Sequence, residues 1–140
     1  MEKRELILVR HGIAEEKGLK PDYDRKLTPE GIEKTKIAAQ GIAQLIEDRS
    51  WELLTSPLLR AKETADLLGE ALDMAPVEHA WIADGSRHDL MKAVMEHPRV
   101  IVVGHEPTLS EWHYELTGNM YDFKKAAAVL IHFDENGENG

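Results

Sequence analysis

Two unbroken aliphatic runs dominate the hydropathy pattern, Leu6-Ile7-Leu8-Val9 and Val100-Ile101-Val102-Val103, and each ends abruptly in polar residues. Runs without alternation predict strands buried on both faces, as in a parallel sheet covered by helices. The segments between them carry a different period. Thr28-Pro29-Glu30 predicts a helix start, with Thr28 as cap and Pro29 in the first helical position. Ile32, Thr35, Ala39, Ile42, Ala43 and Ile46 then follow at spacings of three and four, the apolar stripe of an amphipathic helix. Ser56-Pro57 predicts a second helix opening, with Ala61, Thr64, Ala65, Leu68 and Leu72 on its buried face and Arg60 in its first turn.

Ser86 with Asp89 resembles the capping pair of a third helix, which His97-Pro98 ends. A fourth fits Thr108 to Leu116, with Leu109, Trp112 and His113 on one face and Gly118 beyond its end. Trp51 to Thr55 is a further strand candidate, Pro76 to Ala83 a poorer one, and Val129, Ile131 and Phe133 alternate as in an edge strand. Strands alternating with helices predict a three-layer α/β/α sandwich with a mostly parallel sheet. At 140 residues the expectation is one domain over 1–140, with the acidic, glycine-containing 134–140 as a frayed tail.

Composition narrows the function classes. A net charge of -9 argues against general attraction to nucleic acid or an anionic membrane, so an anionic substrate needs a local cluster of cations. Cysteine is absent, which removes disulfides, thiolate metal sites and thiol catalysis. The start is charged and no apolar stretch reaches membrane length, so a cytoplasmic location is expected. The spacing of the histidines and carboxylates matches no metal motif, and no cofactor is expected.

The chemistry concentrates where the aliphatic runs break. The first ends in Arg10-His11-Gly12 and the second in Gly104-His105. If these strands are parallel, both imidazoles emerge at one edge of the sheet, the carboxyl edge at which open α/β sheets bind ligands. Gly12 is expected to permit a sharp departure from the strand through its backbone freedom. Arg60 opens a helix that follows a strand end and belongs to the same rim, where the helix N-terminus adds free N–H groups and positive dipole. Two guanidinium groups, two imidazoles and a helix N-terminus suit a phosphoryl dianion, whose oxygens a planar guanidinium matches in pairs. A neutral imidazole, with an ordinary pKa of about 6.5, can take a phosphoryl group covalently and pass it to water. His11 fits that role if one ring nitrogen is tied to a backbone carbonyl, and adjacent Arg10 is expected to lower its pKa further.

Leu8-Val9-Arg10-His11-Gly12 resembles the Arg-His-Gly signature of the histidine phosphatase (phosphoglycerate mutase-like) superfamily. Residues 55–65, Thr-Ser-Pro-Leu-Leu-Arg-Ala-Lys-Glu-Thr-Ala, resemble its second motif, and Val103-Gly104-His105-Glu106-Pro107 its third. Asp24-Arg25-Lys26-Leu27-Thr28-Pro29-Glu30-Gly31 resembles a segment of the short bacterial phosphohistidine phosphatases. The resemblance implies a phosphoglycerate mutase-like fold, with His11 as the covalent phosphohistidine intermediate and Arg10, Arg60 and His105 holding the transferred group. It also implies Arg25 as a further phosphate or substrate contact. Larger members use an acidic residue between the second and third motifs to protonate the leaving oxygen, and Asp84 is the candidate in that region.

The leaving group then decides the substrate. An alkoxide benefits from a general acid, an effect of roughly a hundredfold or more, whereas the nitrogen of a phosphoramidate can be protonated before it departs. The connection from Arg60 to His105 is nearly filled by predicted elements and leaves no room for a lid domain. These points favour phosphohistidine on a protein partner as substrate. Two alternatives stay open: a phosphomonoesterase acting on a small phosphorylated substrate, and a phosphate- or phosphohistidine-binding regulatory module without turnover.

Overall fold

In a computed structural model of the chain, residues 4–18, 21–46 and 50–133 are described. The expected tail, 134–140, lies outside them. Both aliphatic runs are strands: β1 (Arg4–Arg10) and β4 (Arg99–Gly104) pair in parallel at the middle of a five-stranded sheet ordered β3-β2-β4-β1-β5. β2 is Glu52–Thr55, β3 is Val77–Glu78 and β5 is Ala128–Phe133. β5 runs antiparallel along β1 at the edge, and the remaining pairings are parallel. Leu6, Leu8, Val100, Ile101, Val102 and Val103 are fully buried, which is why these stretches show no alternation.

The helices are α1 (Pro29–Leu45), α2 (Leu59–Leu72), α3 (Ala80–Asp84), α4 (Arg87–Glu96) and α5 (Thr108–Thr117). The sheet divides two cores. On one face Ile7, Val9, Ile101 and Val103 pack with Ala39 and Ile42 of α1 and with Ala61, Ala65, Leu68 and Leu72 of α2. On the other, Leu6, Leu8, Val100 and Val102 pack with Ile82, Leu90, Val94, Leu109 and Trp112 of α3, α4 and α5. This is the three-layer α/β/α arrangement that the alternation of elements predicts. The chain steps outward from β1 to β2 to β3 beneath α1 and α2, then returns across the other face and inserts β4 between β1 and β2.

The local signals act largely as expected. Thr28 Oγ1 accepts the Gly31 amide at 3.0 Å and caps α1, and Ser86 Oγ accepts the Asp89 amide at 3.2 Å and caps α4. Gly118 closes α5 at φ 77°, in the left-handed region open to glycine. Three expectations are corrected. α2 starts at Leu59, because Ser56 Oγ bonds the Leu58 amide in the approach to the helix instead of capping its first turn. The 76–83 stretch is a two-residue strand followed by α3, which Gly85 terminates at φ 79°. Gly12 is not left-handed; what it supplies is space, since a Cβ there would lie 2.3 Å from Thr35 Oγ1 and 3.3 Å from the Gly31 carbonyl.

Candidate active site

The carboxyl ends of three neighbouring parallel strands build the site. Beyond Thr55 of β2 comes Ser56, beyond Gly104 of β4 comes His105, and Arg10, the last residue of β1, is followed by His11. Ladder-like bonds continue past the strand ends, from the Ser56 amide to the Val103 carbonyl at 3.1 Å and from the His11 amide to the Gly104 carbonyl at 3.1 Å. The backbones that carry both imidazoles are therefore held by the sheet itself. The two rings lie with centroids 5.2 Å apart, inclined at 53°.

His11 is buried, and its Nδ1 lies 2.7 Å from the Gly12 carbonyl oxygen. A carbonyl can only accept, so Nδ1 carries the proton and Nε2 holds the free lone pair. Burial is the largest cause of a pKa lowered to about 3; the Gly12 bond opposes the shift, while His105, Arg60 and Arg10 add to it. The neighbour in sequence, Arg10, is thus a minor contributor beside burial. His105 Nε2 lies 2.7 Å from Ser56 Oγ, and its pKa is lowered to about 4, again chiefly by burial and then by Arg60. Both imidazoles are neutral at physiological pH.

Each cation on the rim is tethered. Arg10 Nη1 donates to the Phe123 carbonyl at 2.7 Å. The Phe123 amide in turn donates to Glu106 Oε2 at 3.3 Å, and Glu106 Oε1 accepts the Ser110 amide of α5 at 2.8 Å. Arg60, in the first turn of α2, is buried, and its Nη1 donates to the Asp22 carbonyl at 2.8 Å. Arg60 Nη2 and the Asp22 carboxylate are 3.3 Å apart. Thr64, one turn on, accepts the Gly12 amide at 3.0 Å and donates to the Arg60 carbonyl at 2.7 Å, joining α2 to the loop that carries His11.

Arg25 reaches the same neighbourhood. It is nearly buried, and its Nε lies 3.1 Å from Asp22 Oδ1 while Nη1 donates to the Glu15 carbonyl at 2.8 Å. The structure therefore brings together Arg10, His11, Arg60 and His105, with Arg25 joined to them through Asp22. Asp84 is not joined. It is exposed at the end of α3, with no hydrogen bond or ion pair to any of these five residues.

Ser56, Thr64 and Asp22 are site residues that sequence reasoning did not single out. Ser56 read as a helix opener and Thr64 as one position of an apolar stripe, and Asp22 was one carboxylate in a mixed-charge loop. Among the described residues no group of three or more histidine, aspartate or glutamate side chains is placed to hold a metal ion, and no helix is long and apolar enough to cross a membrane. Chemically, the arrangement presents an unprotonated imidazole nitrogen among guanidinium donors, a combination suited to receiving a phosphoryl group.

Residues 6–84 match the family model described as histidine phosphatase superfamily (branch 1). An uncharacterized protein of Picosynechococcus sp. is 36% identical over 138 residues, covering 89% of this chain and 82% of that protein. The fold is similar to that of the protein histidine phosphatase SixA complexed with tungstate, at a TM-score of 0.82 and 23% identity, over 97% of this chain and 92% of that one. It is also similar to a mycobacterial glucosyl-3-phosphoglycerate phosphatase, at a TM-score of 0.74 and 14% identity, over 97% and 93% of the two chains.

Proposed function

From the premise that this chain belongs to the histidine phosphatase superfamily, branch 1, we propose that it is a phosphatase that removes the phosphoryl group from phosphohistidine of a protein partner, with no metal required. The observation that carries this reading is the 2.7 Å bond between His11 Nδ1 and the Gly12 carbonyl. It leaves Nε2 as a fixed, unprotonated nucleophile.

In this reading Nε2 attacks phosphorus as the bond to the leaving nitrogen breaks. The phosphoryl group moves to His11, and the departing imidazole takes its proton from solvent or already carries it. Water then attacks the phosphohistidine, releasing phosphate and restoring neutral His11. Arg10 and Arg60 balance the charge that spreads over the equatorial oxygens. Arg25 adds a further cation on the loop side. His105, neutral and fixed by Ser56, lines the same face of the transferred group.

Two features favour phosphohistidine over an ester. Asp84 is exposed at the end of α3 and makes no hydrogen bond or ion pair to Arg10, His11, Arg25, Arg60 or His105. No contact therefore ties an acid from α3 to the rim, and it is an alkoxide leaving group that would call for one. Residues 61–104 are largely taken up by α2, β3, α3, α4 and β4, without an inserted lid over the rim. The likeness to SixA, described as a protein histidine phosphatase, agrees in fold. The second reading, a small-molecule phosphomonoesterase, has the likeness to the glucosyl-3-phosphoglycerate phosphatase in its favour.

Competing turnover of a phosphohistidine peptide, an aryl phosphate and sugar phosphates separates the two. Preference for the peptide is expected, and far better turnover of an ester would transfer the assignment to the second reading. Brief exposure to labelled phosphohistidine peptide should leave an acid-labile, base-stable adduct that is lost in His11→Ala. Absence of both adduct and turnover would leave a binding module.

A further inference from the structure

We propose that Asp22 is a positioning residue whose carboxylate joins Arg25 and Arg60 into a single clamp for the oxygens of a phosphoryl dianion. This rests on the phosphatase reading of the site and extends it to a residue from the 13–26 loop. The two carboxylate oxygens are divided between the two arginines, Oδ1 at 3.1 Å from Arg25 Nε and Oδ2 at 3.3 Å from Arg60 Nη2. The Asp22 carbonyl holds Arg60 a second time, at 2.8 Å from Nη1.

Charge explains why such a junction is required. Arg25 and Arg60 are both nearly buried, come from different segments, and repel each other; the Arg60 pKa is lowered by burial first, with Arg25 adding to the shift and Asp22 opposing it. A carboxylate between them offsets that repulsion and holds the loop-borne cation against α2. In return, although desolvation pushes the other way, Arg60 and then Arg25 hold the Asp22 carboxyl below its ordinary range, so it stays ionised. Arg10, Arg25 and Arg60 with Asp22 leave a net charge that complements a dianion.

The donor inventory permits the role. A guanidinium has five N–H groups. Asp22 takes two from Arg60, and Asp22 with Glu15 takes two from Arg25, so each arginine keeps donors for an incoming oxyanion. Asp22 itself is more than half exposed, with 57% of its side chain open to solvent. It contributes little to packing, and its backbone bond to Arg60 does not depend on the side chain. Asp22→Asn therefore removes the charge while leaving the fold in place.

Inorganic phosphate is the probe, with its dissociation constant measured calorimetrically for wild type, Asp22→Asn, Asp22→Glu, Arg25→Gln and the Asp22→Asn/Arg25→Gln pair, alongside kcat and KM on a phosphohistidine peptide. Asp22→Asn is expected to weaken phosphate binding about tenfold and to raise KM similarly, with a smaller effect on kcat. Asp22→Glu should recover part of the loss. The paired variant should bind little worse than the poorer single variant, since both remove the same clamp.

Unchanged or tighter phosphate binding by Asp22→Asn in a folded protein would overturn the proposal; tighter binding would mean that the carboxylate competes with phosphate for the arginines. Additive losses in the paired variant would overturn it as well. If wild type neither binds phosphate nor turns over the peptide, the phosphatase reading fails and this role falls with it. Normal wild-type behaviour beside an unaffected Asp22→Asn removes the Asp22 role alone.

Discussion

The proton on His11 Nδ1 is committed to the carbonyl of the next residue, Gly12, at 2.7 Å. The ring is thereby fixed in one tautomer and one orientation by a backbone atom, with no side chain recruited for the purpose. Nitrogen-detected NMR should find Nδ1 protonated and Nε2 free from pH 5 to 8, because the pKa lies far below that range at about 3. His11→Asn should abolish turnover and the phosphoryl adduct while keeping the fold.

The same depressed pKa values link stability to pH. His11 at about 3 and His105 at about 4 both bind protons more weakly when folded than the ordinary imidazole value of 6.5 in an unfolded chain. Between those limits the unfolded state holds more protons, so the stability of the fold rises with pH across that window and is lost as pH falls through it. Above pH 6.5 the two groups add no slope. Urea unfolding across pH 3.5–7 should show a shallower dependence for His11→Asn and His105→Asn than for wild type.

Arg60 is the cation that the helix brings to the rim. Arg60→Ala should lower kcat/KM by a factor on the order of a hundred, about 3 kcal/mol, the scale of losing one preorganised donor to a developing oxyanion. A phosphohistidine-peptide assay on protein of verified circular dichroism checks this.

Ser56 is fully buried and joins His105 to the approach to α2. Ser56→Ala leaves the His105 Nε2 and the Leu58 amide without that partner, at a cost of about 1–3 kcal/mol. A lower thermal midpoint and roughly tenfold slower turnover are the expected results, measured by calorimetry and single-turnover kinetics.

Gly12 is required for its missing side chain. Gly12→Ala drives a methyl into Thr35 Oγ1 and should destabilise the protein by about 1–3 kcal/mol. Thr35 Oγ1 is buried with no hydrogen-bond partner, so Thr35→Ala should recover part of the loss in the double variant. Denaturant titration of the two single variants and the double variant tests the coupling.

What the sequence made legible follows from where its signals are local. Arg10, His11 and His105 could be grouped because unbroken aliphatic runs announce buried parallel strands, and parallel strands bring their carboxyl ends to one edge. Arg60 joined them because a helix opening is written in a few adjacent residues. Ser56, Thr64 and Asp22 were hidden because their partners lie 49, 52 and 38 residues away in the chain, and no periodicity carries such pairings. The five-residue helix α3 is too short for a period to show, and only Gly85 marks its end. The strength of each pKa shift was hidden for the same reason, since burial is set by the whole fold.

The place of β4 in the sheet has a consequence for assembly. β4 is fourth among the strands in sequence yet sits between the first two in space, and it carries His105 to the flank of His11. While a chain is being synthesised, the segment bearing His11 and Arg60 emerges long before the strand that aligns them. An early fragment therefore holds both residues but no template on which to seat a phosphoryl group. Under the proposed phosphatase reading, phosphoryl transfer becomes a report on a completed sheet, and a chain arrested before β4 docks should be inert toward a phosphohistidine peptide instead of partly active.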